Sequence, residues 1–111
     1  MPIFFVAWSA RACALVALLI AITAGGRQAR ADEQAEGRRH AQKASNLAAS
    51  GKCKQALPEY DQAIALLRDP ALLFNRAECH RKLGETAEAL EDYNQFLAMR
   101  ASTMARLGAG R

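Results

Sequence analysis

The residues of this 111-residue chain best suited to hold a metal or to attack a substrate are two histidines and three cysteines. A zinc site would draw on His40, Cys53, Cys79 and His80. Zinc-binding helices and loops usually space their ligands as Cys-x-x-Cys or His-x-x-x-His, and neither spacing occurs. Cys79 and His80 are adjacent, and neighbours on a helix point about 100° apart, so both cannot aim at one ion. No metal site is expected. Carboxylates crowd the stretch Glu85, Glu88, Glu91 and Asp92. On a helix Glu88 shares a face with Glu91 and with Asp92, an arrangement that can serve acid–base chemistry. Nothing near them in sequence would bury them, so a solvated helix face is expected. His40 and His80 read as surface or half-buried residues with no evident carboxylate or nucleophile partner. No glycine-rich phosphate loop, serine-centred elbow or metalloprotease helix is present. The chain is expected to be no enzyme and to need no cofactor.

The elements that carry these residues are helical. After residue 26 the composition is dominated by Ala, Leu, Glu, Lys, Arg and Gln, all good helix formers. No Val follows Val16, Ile64 is the only Ile after Ile22, and Thr86 and Thr103 are the only Thr after Thr23. An all-α fold follows. The formal charge of +4 does not point to nucleic acid. Arg11, Arg27 and Arg30 lie in the first 31 residues, leaving 12 basic residues to face all 11 acidic ones. The two signs are interleaved, and no stripe for phosphate survives.

The N-terminal segment reads as an address. Residues 12–24 form an uninterrupted apolar run after Arg11, and Gly25-Gly26 is expected to break any helix there. Ala29-Arg30-Ala31 then supplies the small-x-small pattern of a signal-peptidase site. Residues 1–31 are therefore expected to be a signal peptide cut after Ala31, leaving Asp32 first. The competing reading is an uncleaved membrane anchor. A run of 13 apolar residues falls short of the roughly 20 that span the hydrocarbon layer. Counting back to Ile3 would place Arg11 in the middle of the membrane.

The remainder repeats itself. A shift of 33 residues aligns Ala44 with Ala77, Gly51 with Gly84, and Ala56-Leu57 with Ala89-Leu90. It also aligns Tyr60 with Tyr93, Gln62 with Gln95 and Ala65 with Ala98. Lys43 meets Arg76, Glu59 meets Asp92, and Ile64 meets Leu97. Gly51 and Gly84 each close a helical stretch, and apolar or small residues then recur at helical intervals. Asp69-Pro70 separates the units as an N-cap followed by the first helical residue. Helices are expected near 35–50, 53–67, 70–83 and 86–100. The domain reads as 32–103, built of units 37–69 and 70–102, with 104–111 as a polar tail that can extend the last helix to about Leu107. Ala44, Ala56, Ala77 and Ala89 are small because antiparallel helices joined by a tight turn approach closely.

The run Leu72-Leu73-Phe74-Asn75-Arg76-Ala77-Glu78-Cys79-His80-Arg81-Lys82-Leu83-Gly84, followed by Ala89-Leu90-Glu91-Asp92-Tyr93, resembles a tetratricopeptide repeat. The first unit is similar in keeping Ala44, Gly51, Ala56, Tyr60 and Ala63. The resemblance implies two helix-turn-helix hairpins, a fragment of an α-solenoid, whose first helices line a concave surface for extended peptides or partner helices. Carried onto this chain, the concave positions are Arg38, Ala41, Ser45 and Ala48, then Phe74, Asn75, Glu78 and Arg81. Asn75 matches an asparagine that often binds peptide backbone in the family, and the alternative for it is a hydrogen bond within the fold. Ala41 and Ser45 stand where the carboxylate-clamp subtype has Lys and Asn, so recognition of a C-terminal carboxylate is not implied.

The same stack would bring Cys53 beside Cys79. A disulfide is favoured because an exported protein sits where such bonds persist, and the alternative is two buried free thiols. Two repeats are few for a solenoid, so Phe96 and Leu97 are expected to be partly uncovered, inviting self-association or docking on another protein. The functional expectation is a periplasmic or secreted interaction module of a Gram-negative bacterium. Its partner is another protein or peptide, with a homo-oligomer possible and no nucleic acid. The alternative is a structural or assembly subunit, membrane-bound only if the N-terminal helix is retained.

Overall fold

A computed structural model describes residues 2–110, with the side chains of 25–110. Its contacts divide into two units, Met1–Glu33 and Gln34–Arg111. Among the described residues the elements are α1 (Pro2–Ala49), α2 (Cys53–Leu66), α3 (Pro70–Lys82) and α4 (Thr86–Ala109).

The first unit lies within α1, and the expected break at Gly25-Gly26 is absent. Glycine costs only about 1 kcal/mol relative to alanine inside a helix, and both glycines are flanked by alanine, glutamine and arginine. Neither adopts positive φ. The side chains of 1–24, which carry most of the signal-peptide reading, lie outside the described residues.

In the second unit the 33-residue period is visible bond by bond. Gly51 and Gly84 have φ of 75° and 78°, a left-handed turn that glycine enters without a Cβ penalty. Around the first, the Lys52 amide donates to the Leu47 carbonyl at 2.9 Å and the Gly51 amide to Ala48 at 3.0 Å. Around the second, Glu85 donates to His80 at 2.9 Å and Gly84 to Arg81 at 3.1 Å. The entering turn repeats too: Ala56 donates to Lys52 at 2.9 Å, and Ala89 to Glu85 at 3.0 Å. Asp69 caps α3, its Oδ1 accepting from the Ala71 amide at 3.0 Å ahead of Pro70. Helix α4 runs two residues past Leu107, and Gly108 is helical rather than terminal.

The core of this unit is built from small residues. Ala44, Ala56, Ala63 and Ala77 are fully buried, and Ala89 nearly so, with Tyr60, Leu72, Cys53 and Cys79 filling the space between them. Gly37 is buried as well, and a Cβ there would stand 2.6 Å from Leu67 Cγ. Helices therefore cross closely but bury little apolar area per contact. A covalent bond compensates. Cys53, at the start of α2, is joined to Cys79 near the end of α3, with Cα atoms 5.0 Å apart and a sequence separation of 26. Closing a loop of that length stabilises by roughly 3–4 kcal/mol in the chain-entropy model. Replacing both cysteines by alanine should lower stability by roughly 3 kcal/mol. Urea unfolding of the oxidised parent chain and of the double variant checks it, and superimposable curves would refute it.

Candidate functional site

The surface where the C-terminal part of α1 meets α3 is set by the two alanines, Ala44 and Ala77, that pack inward and turn the opposite face of each helix to solvent. Between these helices lies a groove of about 310 Å³, walled by Ser45, Ala48, Asn75, Glu78 and Lys82, with Tyr60 and Cys79 at its base. Of the eight expected concave positions, Ser45, Ala48, Asn75 and Glu78 meet here. Among the described residues the side-chain hydrogen bonds of α3 involve Arg76 and Arg81 as donors and Glu78 as acceptor, and Asn75 enters none of them. It is exposed, with both donor and acceptor free to face the groove.

Of the other four, Ala41 packs against the core, and Arg38, Phe74 and Arg81 sit around the groove rather than in it. Arg81 donates from Nη2 to Glu78 Oε2 at 2.9 Å along α3. Phe74 packs edge-on against Tyr93, ring centroids 5.7 Å apart, and against Phe96 at 5.4 Å, yet remains 41% exposed. Arg38 is exposed on α1 and does not line the groove. Lys82 was missed in the sequence, although its position one turn beyond Glu78 and two beyond Asn75 places all three on one helical stripe.

Glu78 is held from two sides. It accepts from Arg81 and from the Tyr93 hydroxyl. Those bonds, Arg81 first, hold its carboxyl below the ordinary glutamate value. The same hydroxyl bond keeps Tyr93 protonated above the ordinary tyrosine value. Burial alone does so for Tyr60 beneath the groove.

Three expectations are corrected behind the groove. Asp92 is 3% exposed rather than solvated with Glu88 and Glu91. It accepts two bonds from Arg76, Nε to Oδ2 at 2.8 Å and Nη2 to Oδ1 at 2.6 Å. Arg76 also donates from Nη1 to Asp61 Oδ1 on α2 at 2.9 Å. The Asp92 bonds, then those to Asp61, raise the Arg76 pKa and fix its charge. His40 does have a carboxylate partner: its Nδ1 donates to Glu59 Oε2 at 2.6 Å. His80 lies 3.9 Å from Asp92 through Nε2 and 3.7 Å from Glu85 through Nδ1, a buried atom without a hydrogen-bond partner among the described residues. Of the residues considered for zinc, both cysteine sulfurs are committed to the disulfide.

The ion pairs obey the repeat as well. Lys43 Nζ lies 2.9 Å from Glu59 Oε1, and a shift of 33 residues gives Arg76 with Asp92. The aligned pairs of opposite charge in the sequence were the readable signal for this network.

Comparison with known proteins agrees with the hairpins. The chain is similar to a tetratricopeptide repeat and J domain-containing co-chaperone of Fusarium oxysporum f. sp. lycopersici, at 41% identity over 61 residues. That match takes in 52% of this chain and 11% of the co-chaperone, so the chain spans about a tenth of that protein. No family model matches the chain, and no solved structure does. Sequence similarity and helical architecture support tetratricopeptide-like repeats.

The carboxylates define an acid limit. His40, then Lys43, lowers the Glu59 pKa, as Arg81 and Tyr93 lower that of Glu78. A depressed folded-state pKa contributes stability that is complete above the ordinary glutamate value of 4.5 and is lost as pH falls through the folded values. The urea midpoint should therefore drop as pH falls below about 4.5, and Glu59→Gln with Glu78→Gln should flatten that drop. An unchanged slope in the double variant would contradict the assignment.

Proposed function

We propose that this chain is a non-enzymatic protein-interaction module that takes an extended peptide or partner helix in the groove between α1 and α3. The carrying observation is the unengaged Asn75 side chain beside Ser45, Glu78 and Lys82 in that groove. An extended peptide offers unpaired backbone N–H and C=O groups, and a primary amide can donate to one and accept from the other. Glu78 and Lys82 add one charge of each sign along the same wall. A protein partner is also in keeping with the similarity to a co-chaperone.

The module is an exported one in this reading, released by cleavage of a 1–31 signal peptide after Ala31 into the periplasm or the cell exterior. The Cys53–Cys79 disulfide supports that compartment, because such bonds persist where the surroundings are oxidising. A second reading is a membrane-anchored assembly subunit with residues 1–31 retained; α1 is unbroken at Gly25 and Gly26, and among the described residues no helix is long and apolar enough to cross a membrane. Mass spectrometry of the N-terminus separates the two: Asp32 first supports export, and an intact Met1 supports the anchor.

Peptides selected on the purified chain should bind at least roughly tenfold more weakly to Asn75→Ala, with a similar loss for Glu78→Gln. Replacing Arg38, which lies outside the groove, should change little. Equal binding by Asn75→Ala and the parent chain would overturn the assignment of the groove.

A further inference from the structure

Helix α4 has 24 residues where its counterpart α2 has 14. The excess, Arg100–Ala109, is exposed along its whole length. In the first hairpin the apolar positions of the stripe Leu57, Asp61, Ile64 are partly buried against the core, and Asp61, itself exposed, pairs with Arg76 of α3. Thirty-three residues on, the same stripe reads Leu90, Asn94, Leu97 and is open, with both leucines 59% exposed. The charge that ties down an arginine in the first hairpin has become a neutral amide in the second.

The stripe does not stop where the repeat does. It continues through Ala101, Met104 and Gly108, so that steps of four and three residues alternate from Leu90 to Gly108. That spacing is the seam of a two-helix coil. Its residues alternate in size: Leu90, Leu97 and Met104 are large, and Asn94, Ala101 and Gly108 are smaller. A parallel copy would set large against large and glycine against glycine. An antiparallel copy centred on Met99 sets Leu90 against Gly108, Leu97 against Ala101, and Met104 against Asn94. Each contact then occurs twice, as a two-fold interface requires. Ala98 and Ala105 flank the seam and let the helices approach. Arg100, near the axis, is drawn over its own Phe96 ring, 5.6 Å from the centroid.

We propose that a second copy of this chain covers α4, the two α4 helices running antiparallel about Met99. The interface is separate from the α1/α3 groove and goes beyond the peptide-binding reading. The two copies thereby cover the stripe of α4 that stands open in each.

Cross-linking of the full chain tests it, with Cys13→Ser removing the cysteine outside the disulfide. Under mild oxidation Ala98→Cys should give a disulfide-linked dimer as the main species, since the two positions flank the seam on the same side, only about 3 Å apart along the helices. Leu90→Cys should stay monomeric, its two copies lying about 27 Å apart along the helices. Adding Leu97→Glu to Ala98→Cys should cut the dimer at least roughly tenfold while circular dichroism shows the helix content unchanged. A monomeric Ala98→Cys chain would overturn the proposal. So would equal linking through Leu90→Cys, which marks a parallel pair, or a dimer indifferent to Leu97→Glu, which marks contact elsewhere.

Discussion

One arginine joins three helices. Arg76 leaves α3, takes both oxygens of Asp92 on α4, and reaches Asp61 on α2. Asp92 is almost wholly buried, so its charge must be matched where it stands. A planar guanidinium meeting a carboxylate through two parallel bonds is the geometry that matches it best. The pair adds less to net stability than its short distances suggest, because both charges leave water. What it sets is register: a slip of α4 along α3 would strand a buried carboxylate. The second hairpin is locked internally by that pair and to the first hairpin by Asp61.

This dependence follows from the poverty of the core. Five buried alanines make close helix crossings but bury little apolar surface. A small domain with such a core needs other ties. The Cys53–Cys79 bond supplies one between α2 and α3, and the Arg76 network supplies another across α2, α3 and α4. In the first hairpin the equivalent charge pair, Lys43 with Glu59, lies nearer solvent and is joined by His40. With the interior held by covalent and ionic ties, the outer surface of α3 is free to present Asn75 and Lys82, and that of α4 to present its apolar seam.

Local features were legible in the chain and distant ones were not. Gly51, Gly84, Asp69 and Pro70 act on their own turn of backbone, so their types and places sufficed. The four alanines at the crossings were legible through the 33-residue period. The disulfide was legible only through the resemblance, because cysteines 26 positions apart announce nothing by themselves. Gly25 and Gly26 misled because a penalty of about 1 kcal/mol each is easily outweighed by strong helix formers around them. Asp92 misled because acidic residues are normally solvated, and its burial depends on Arg76, a helix away in sequence. His40 and His80 found carboxylate neighbours for the same nonlocal reason. Within the groove, Ser45, Asn75 and Glu78 came together because α1 and α3 are equivalent helices of successive hairpins. Arg38 shares the stripe of Ser45 on α1 but stands two turns away and does not line the groove.

A double-mutant cycle on Arg76→Met and Asp92→Ala, followed by urea unfolding, probes the tie between the helices most directly. Each single change should strand a buried charge or leave its partner unmatched and cost about 3–5 kcal/mol. The double variant should cost clearly less than the sum, giving a coupling of about 2–3 kcal/mol. The same cycle on Lys43 and Glu59 should show weaker coupling. Additive losses at Arg76 and Asp92 would contradict the account, because the two side chains would then not be holding each other.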